Sequence, residues 1–153
     1  MIWCCSDDEG PVFIHQSLWQ RRMLARYGSI VTVLDATYNT TAYGLPLFVV
    51  SVPTNCGYVT AAVFLASDEK ASTIEEGLRI ISQWCPEWQT KAVMSDFSAA
   101  QIAAVEAVFP GVCSVWHYCS IYVLFCWWTG RRLSIAENEL HCFIFLMLLL
   151  CEE

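Results

Sequence analysis

Positive charge is scarce in this chain. Eight lysines and arginines stand against 15 aspartates and glutamates, a formal net charge of −7. A free-standing nucleic-acid binder carries a basic face, because neutralised phosphates supply most of its affinity. Here Arg21, Arg22 and Arg26 form the only basic cluster before Lys70, and Arg131-Arg132 is a lone pair. The balance argues against autonomous DNA binding. It leaves open an acidic metal site, which needs carboxylates. A Cys-x-x-Cys pair is also missing, which argues against a dithiol redox motif and a regular zinc ribbon. No apolar stretch reaches the roughly 18 residues of a membrane span. The nearest, Cys142 to Cys151, is too short. The start, Met1-Ile2-Trp3-Cys4-Cys5-Ser6-Asp7-Asp8-Glu9, has neither the basic nor the apolar region of a secretory signal.

What is present describes a folding chain. Its 153 residues suffice for one domain with a real core. Hydrophobic residues make up 56% and charged residues 15%, which is not a disordered composition. The cysteine count is nine, an odd number, and most cysteines sit in apolar runs. This reads as a reducing compartment, nucleus or cytoplasm, with Cys56, Cys85, Cys126 and Cys142 as small buried hydrophobes.

The pattern of apolar residues predicts an α/β fold. After an irregular acidic start, Phe13 to Arg26 reads as a helix, with Ile14, Leu18 and Trp19 on one face and the arginines outward. Gly28 suits the left-handed cap position that ends it. Strands follow at Ile30–Ala36, Leu45–Val52 and Gly57–Ala66, the last two joined by a short turn. Ser72 and Glu75 resemble a capping box for a helix running to about Trp84, which Pro86 stops. That helix buries Ile74, Leu78, Ile81 and Trp84. Lys91–Ser95 is a fourth strand. Ser98 caps a helix from Ala99 to Val108, with Ile102, Val105 and Phe109 inward, and Val112–Trp116 is a fifth strand. Three antiparallel strands followed by helix, strand, helix, strand make a mixed sheet with helices packed on it. Beyond Ser120 the chain is apolar without a clear period, irregular or helical.

Two aspartates stand out in this layout. Ile30-Val31-Thr32-Val33-Leu34 runs into Asp35, and Lys91-Ala92-Val93-Met94-Ser95 runs into Asp96. If the two strands are neighbours, the carboxylates lie side by side and can share divalent metal, as in enzymes that cut or join phosphodiesters with two metal ions. Each also has a plainer reading. Asp35 suits a strand-terminal turn, and Asp96 or Ser98 suits the start of a helix.

The blocks Leu34-Asp35-Ala36-Thr37-Tyr38-Asn39-Thr40-Thr41, Tyr43-Gly44-Leu45-Pro46-Leu47-Phe48, Met94-Ser95-Asp96-Phe97 and Ala107-Val108-Phe109-Pro110-Gly111 resemble the transposase domain of Mutator-like elements. They equally resemble the related ribonuclease H-like domain of SWIM-type zinc-finger proteins. The resemblance implies a ribonuclease H-like mixed sheet, Asp35 and Asp96 as the catalytic and metal-binding pair, Mg2+ or Mn2+ as cofactor, and DNA as partner. It divides the chain into a helical lead-in (1–29), a partial transposase core (30–117) and a divergent apolar tail (118–153).

The chain departs from the family pattern in two places. The family's Cys-x-x-His element is replaced by Cys113, His117 and Cys119 at other spacings. The family's third acid, a glutamate on a later helix, has no recognisable counterpart, although Glu137, Glu139, Glu152 and Glu153 follow. The expectation is therefore a truncated, catalytically inactive copy. An active enzyme that takes its third acid from the tail or a partner chain is the alternative.

Zinc at Cys113, His117 and Cys119, completed by Cys126, His141 or Cys142, lacks a recognisable four-ligand spacing. Trp84 and Trp116 read as core. Trp88 is a candidate for base stacking that lacks a basic groove. Trp127 and Trp128, with the Leu-rich tail, read as a surface for self-association, or for docking a protein or membrane in a module without a nucleic-acid role.

Overall fold

The computed structural model describes residues 2–4, 11–37, 42–96 and 98–114. Along them run β1 (Ile2–Cys4), β2 (Pro11–His15), α1 (Leu18–Tyr27), β3 (Val31–Thr37), β4 (Leu47–Thr54) and β5 (Gly57–Ala66). Then come α2 (Ala71–Trp84), β6 (Ala92–Ser95), α3 (Ala99–Val108) and β7 (Cys113–Ser114). All the strands join one sheet in the order β1-β2-β5-β4-β3-β6-β7. Strands β3, β4 and β5 pair antiparallel, as their short connections require, and β6 and β7 add in parallel after the α2 and α3 crossovers. Two elements, β5 and α3, have the expected bounds; β3, β4 and β6 are offset by one or two residues.

The N-terminal third differs from expectation. Residues read as the first turn of a helix are strand β2, which pairs with β5 through Phe13↔Leu65, Ile14↔Phe64 and His15↔Val63. The lead-in expected to be helical thus contributes two strands to the same sheet as well as α1. The helix begins only where Ser17 and Gln20 form a capping box: Gln20 N–H donates to Ser17 Oγ at 3.1 Å, and Ser17 N–H to Gln20 Oε1 at 2.8 Å. Ile14 is consequently buried in the sheet, while Leu18 and Trp19 are exposed on α1.

Gly28 ends α1 without the left-handed conformation, at φ −77°. The glycine is needed there for space. A Cβ at Gly28 would stand 2.6 Å from the Leu24 carbonyl oxygen and 3.0 Å from the Trp88 ring. Trp88 is therefore a core residue, 3% exposed, and not a stacking platform. Its indole N–H donates to Thr32 Oγ1 at 3.0 Å, and its ring meets Phe109 edge-on at 4.7 Å. Thr32 Oγ1 also lies 3.4 Å from the Gly28 carbonyl oxygen and from Thr90 Oγ1. Replacing Thr32 with valine keeps the shape but strands a buried indole donor. A loss of about 1–3 kcal/mol in urea denaturation is expected, and an unchanged midpoint would mean that the indole finds another acceptor.

The core lies on one face of the sheet. Ile14, Phe64, Phe48 and Ala36 form a row across β2, β5, β4 and β3. The Phe48 and Phe64 rings stack at 4.8 Å. Helix α2 covers this row with Ile74, Gly77, Leu78 and Ile81. Gly77 is the closest approach: a Cβ there would stand 2.8 Å from the Phe64 ring. On α3 the buried residues are Gln101, Ala104 and Val105, while Ile102 and Phe109 are half-buried, so the helix is rotated from the expected face. Cys85 is buried as expected, but Cys56 is exposed at the tip of the β4–β5 hairpin. That hairpin turns at Asn55-Cys56, with Gly57 at φ 106° supplying the positive φ that a tight turn needs.

Helix α2 starts one residue before Ser72, and neither Ser72 nor Glu75 caps it. Asp68 holds that end instead. It accepts from Thr73 Oγ1 at 2.7 Å and from the Lys70 backbone N–H at 3.1 Å, and it pairs with Lys70 Nζ at 2.7 Å. Glu75 pairs with Arg79 one turn on. The Lys70 ammonium and then the Thr73 hydroxyl hold the Asp68 carboxyl down at about 2, from an ordinary 3.8. A depressed folded pKa stabilises above the unfolded value, so this contribution is full above about pH 4 and lost as pH falls through about 2. Lys70 is 71% exposed, so solvent screening leaves about 0.5–1 kcal/mol. Asp68→Asn is expected to lose that amount at neutral pH and to flatten the stability profile between pH 4 and 2, read by a urea series.

Candidate metal-binding acid pair

The β3–β6 pairing positions the acids. The parallel register runs Val31↔Ala92, Thr32↔Val93, Val33↔Met94, Leu34↔Ser95. Asp35 and Asp96 occupy the next step of the same register. Neighbouring strands stand ~4.8 Å apart, so the two Cα atoms are at one strand spacing. Short-range order also fits: Ser98 N–H donates to the Asp96 carbonyl oxygen at 2.7 Å, a tight turn that carries the chain off the sheet into α3.

Asp35 does not terminate its strand. It lies two residues before the end of β3, still paired with Val49 of β4 on its other side. What ends at this level is the ladder to β6. Asp35 is therefore held by β4 on one side, just past the β6 ladder on the other, which fixes its backbone more firmly than a turn would. Its row across the sheet runs Asp35, Val49, Val63, His15. Because side chains alternate along strands, this row faces away from the Phe64 row and from α2.

Both aspartates are exposed. The Asp96 carboxyl is nonetheless raised above its ordinary 3.8, first by partial loss of hydration against the sheet and then by the negative charge of Asp35. An aspartate that feels the charge of another beside it makes a site at which a cation relieves repulsion. The donors are hard oxygens, suited to Mg2+ or Mn2+ rather than to zinc in a cysteine-rich site. Among the described residues, no group of three His, Cys, Asp or Glu gathers around a metal position.

The structure thus brings together the two acids that the sequence singled out. His117, Cys119, Cys126, His141, Cys142, Glu137, Glu139, Glu152 and Glu153 lie outside the described residues, as do Trp116, Trp127, Trp128 and Arg131-Arg132. Phe97 and Tyr38 to Thr41, beside the two acids, lie outside them too. Among the described residues no helix is long and apolar enough to cross a membrane.

Residues 4–115 match the family model described as "Zinc finger SWIM domain-containing protein 1/3, RNaseH-like domain". No curated protein matches, and no solved structure does.

Proposed function

Since the chain belongs to the ribonuclease H-like domain family of zinc finger SWIM domain-containing proteins 1 and 3, we propose that it is a transposase-derived domain whose Asp35 and Asp96 hold a divalent cation without cutting DNA. The observation that supports this reading is the β3–β6 register, whose next step after Leu34↔Ser95 is Asp35 beside Asp96. Family membership supports a ribonuclease H-like fold, and that fold supports a nuclease or transposase origin.

Asp35 and Asp96 would be the protein's ligands to Mg2+ or Mn2+. In enzymes of this chemistry such ions polarise the attacking oxygen and stabilise the leaving one. The chain's own part is to hold Asp35 rigidly on a central strand and to present Asp96 from the turn before α3. Their mutual repulsion keeps the pair ready for a cation. Two divalent ions, however, need more negative charge than two carboxylates supply. Among the described residues no third ligand joins them. A cation held this way is weakly placed, and hydrolysis of a phosphodiester is not expected.

Purified chain is to be titrated with Mn2+ by calorimetry and incubated with plasmid DNA in Mg2+ and in Mn2+. Millimolar Mn2+ binding lost in Asp35→Asn and in Asp96→Asn, with intact plasmid throughout, is the expected result. Binding unchanged in both variants would remove the metal site. Metal-dependent cleavage lost in Asp35→Asn would show an active enzyme.

A further inference from the structure

The described residues include six lysines and arginines. Lys70 pairs with Asp68, Arg79 with Glu75 and Arg21 with Glu87. The other three, Arg22, Arg26 and Lys91, make no ion pair among the described residues, and all three are exposed. The fold puts them in one region. Arg22 and Arg26 stand one turn apart on the outer side of α1, where i and i+4 residues share a face. Lys91, remote in sequence, is tied to the end of that helix, because its backbone N–H donates to the Ser29 carbonyl oxygen at 3.2 Å. The Arg26 guanidinium lies 5.4 Å from the Tyr27 ring centroid, which steadies it. Trp19, 55% exposed, lies one turn before Arg22. Helix α1 carries no acid, and the acid paired with it, Glu87, engages Arg21.

We propose that the outer face of α1, running from Trp19 through Arg22 and Arg26 to Lys91, is a docking surface for single-stranded nucleic acid. Charge complementarity selects an anion, and guanidinium groups match phosphate oxygens in a bidentate way. The exposed indole selects unpaired bases, whose faces stack on aromatic rings; a duplex hides those faces and an acidic peptide has none. The net charge of −7 does not prevent this. At physiological ionic strength, fields decay over ~8 Å, so net charge alone does not set the field at this face; Glu87, the acid paired with α1, is engaged by Arg21. The surface is separate from the acid pair: α1 leads into the first residues of β3, whereas Asp35 lies toward that strand's other end. The inference therefore stands apart from the cation reading.

The test uses the full chain and a fluorescein-labelled oligo-dT strand, read by anisotropy across a salt series. Three neutralised phosphates predict a log–log salt slope of roughly −2, at about 0.7 per phosphate. Arg22→Glu/Arg26→Glu is expected to weaken binding at least tenfold and Trp19→Ala several-fold, while Arg79→Gln on α2 leaves it unchanged. Where the double charge reversal lowers thermal stability, Arg22→Gln/Arg26→Gln makes the same comparison. Absence of binding at low salt, or equal binding by the arginine variants, overturns the proposal. So does displacement of the strand by polyglutamate as readily as by unlabelled oligo-dT, which would assign the face to an acidic protein.

Discussion

Phe64→Ala is expected to destabilise the protein by about 3–5 kcal/mol, and Gly77→Ala, directly opposite it, by about 1–3 kcal/mol. The two changes damage one contact in opposite ways. Phe64 is fully buried, stacked on Phe48, and in register with Ile14. Removing its ring leaves a cavity between the sheet and α2 that the flat row of β-strands cannot close. At Gly77 the ordinary expectation has the other sign, because alanine in a helix interior gains about 1 kcal/mol over glycine. Here the added methyl would stand 2.8–3.1 Å from three atoms of the Phe64 ring. That ring cannot swing aside without losing its stack on Phe48. Overpacking therefore outweighs helix propensity. The double variant distinguishes this account from two independent defects. With the ring gone, the new methyl enters the cavity, and Gly77→Ala/Phe64→Ala should lose less than the sum of the singles. Additive losses in urea denaturation would mean that α2 does not touch Phe64 as described.

Asp35→Asn should produce opposite effects on stability and on binding. Without cation, the variant is expected to be at least as stable as the parent near pH 7. The reason lies in the sign of the Asp96 shift. Its folded carboxyl is raised, by lost hydration and then by the Asp35 charge. A raised carboxylate pKa means that the folded state disfavours the charged form, so stability falls as pH rises through the window above 3.8. Neutralising Asp35 removes part of that cost and moves Asp96 back toward its ordinary value, which carboxyl NMR titration reads directly. Cation affinity should move the other way. Losing a mere outer-shell partner of a metal site costs about 10–100-fold in affinity, so losing a ligand should cost no less. A purely structural aspartate would show the reverse, with lower stability and no effect on Mn2+. That result would sink the site.

The acid pair was legible because the signal is local twice over. Each aspartate ends an apolar run of the kind that forms a strand in an α/β pattern. The sequence did not contain the register. A slip by one residue would have sent Asp35 toward the Phe64 face, and the pairing Leu34↔Ser95 is what prevents it. The basic face was half legible. Arg22 and Arg26 are four residues apart in the chain, but Lys91 joins them only through the bond between its backbone and Ser29.

The errors share a cause. Ile14, Leu18 and Trp19 fit a helical spacing, yet β2 forms because β5 offers Phe13 and Ile14 partners at Leu65 and Phe64. Helical periodicity reports which face is apolar, not which other element will compete for it. The rotation of α3 has the same origin. Its sequence is nearly all apolar, so no stripe marks an inner face, and packing against α2 and the sheet chose Ala104 and Val105.

By itself the sequence determined the α/β class and the bounds of β5 and α3, and it singled out the two acids, since these follow from runs, turns and helix stops read within a few residues. Only the tertiary structure decided the strand pairing that makes Asp35 and Asp96 neighbours, the strand identity of Pro11–His15, and the gathering of Arg22, Arg26 and Lys91. Each of those depends on a contact between residues far apart in the chain, and such contacts exist only once burial of a common core has chosen among the arrangements that local preference allows.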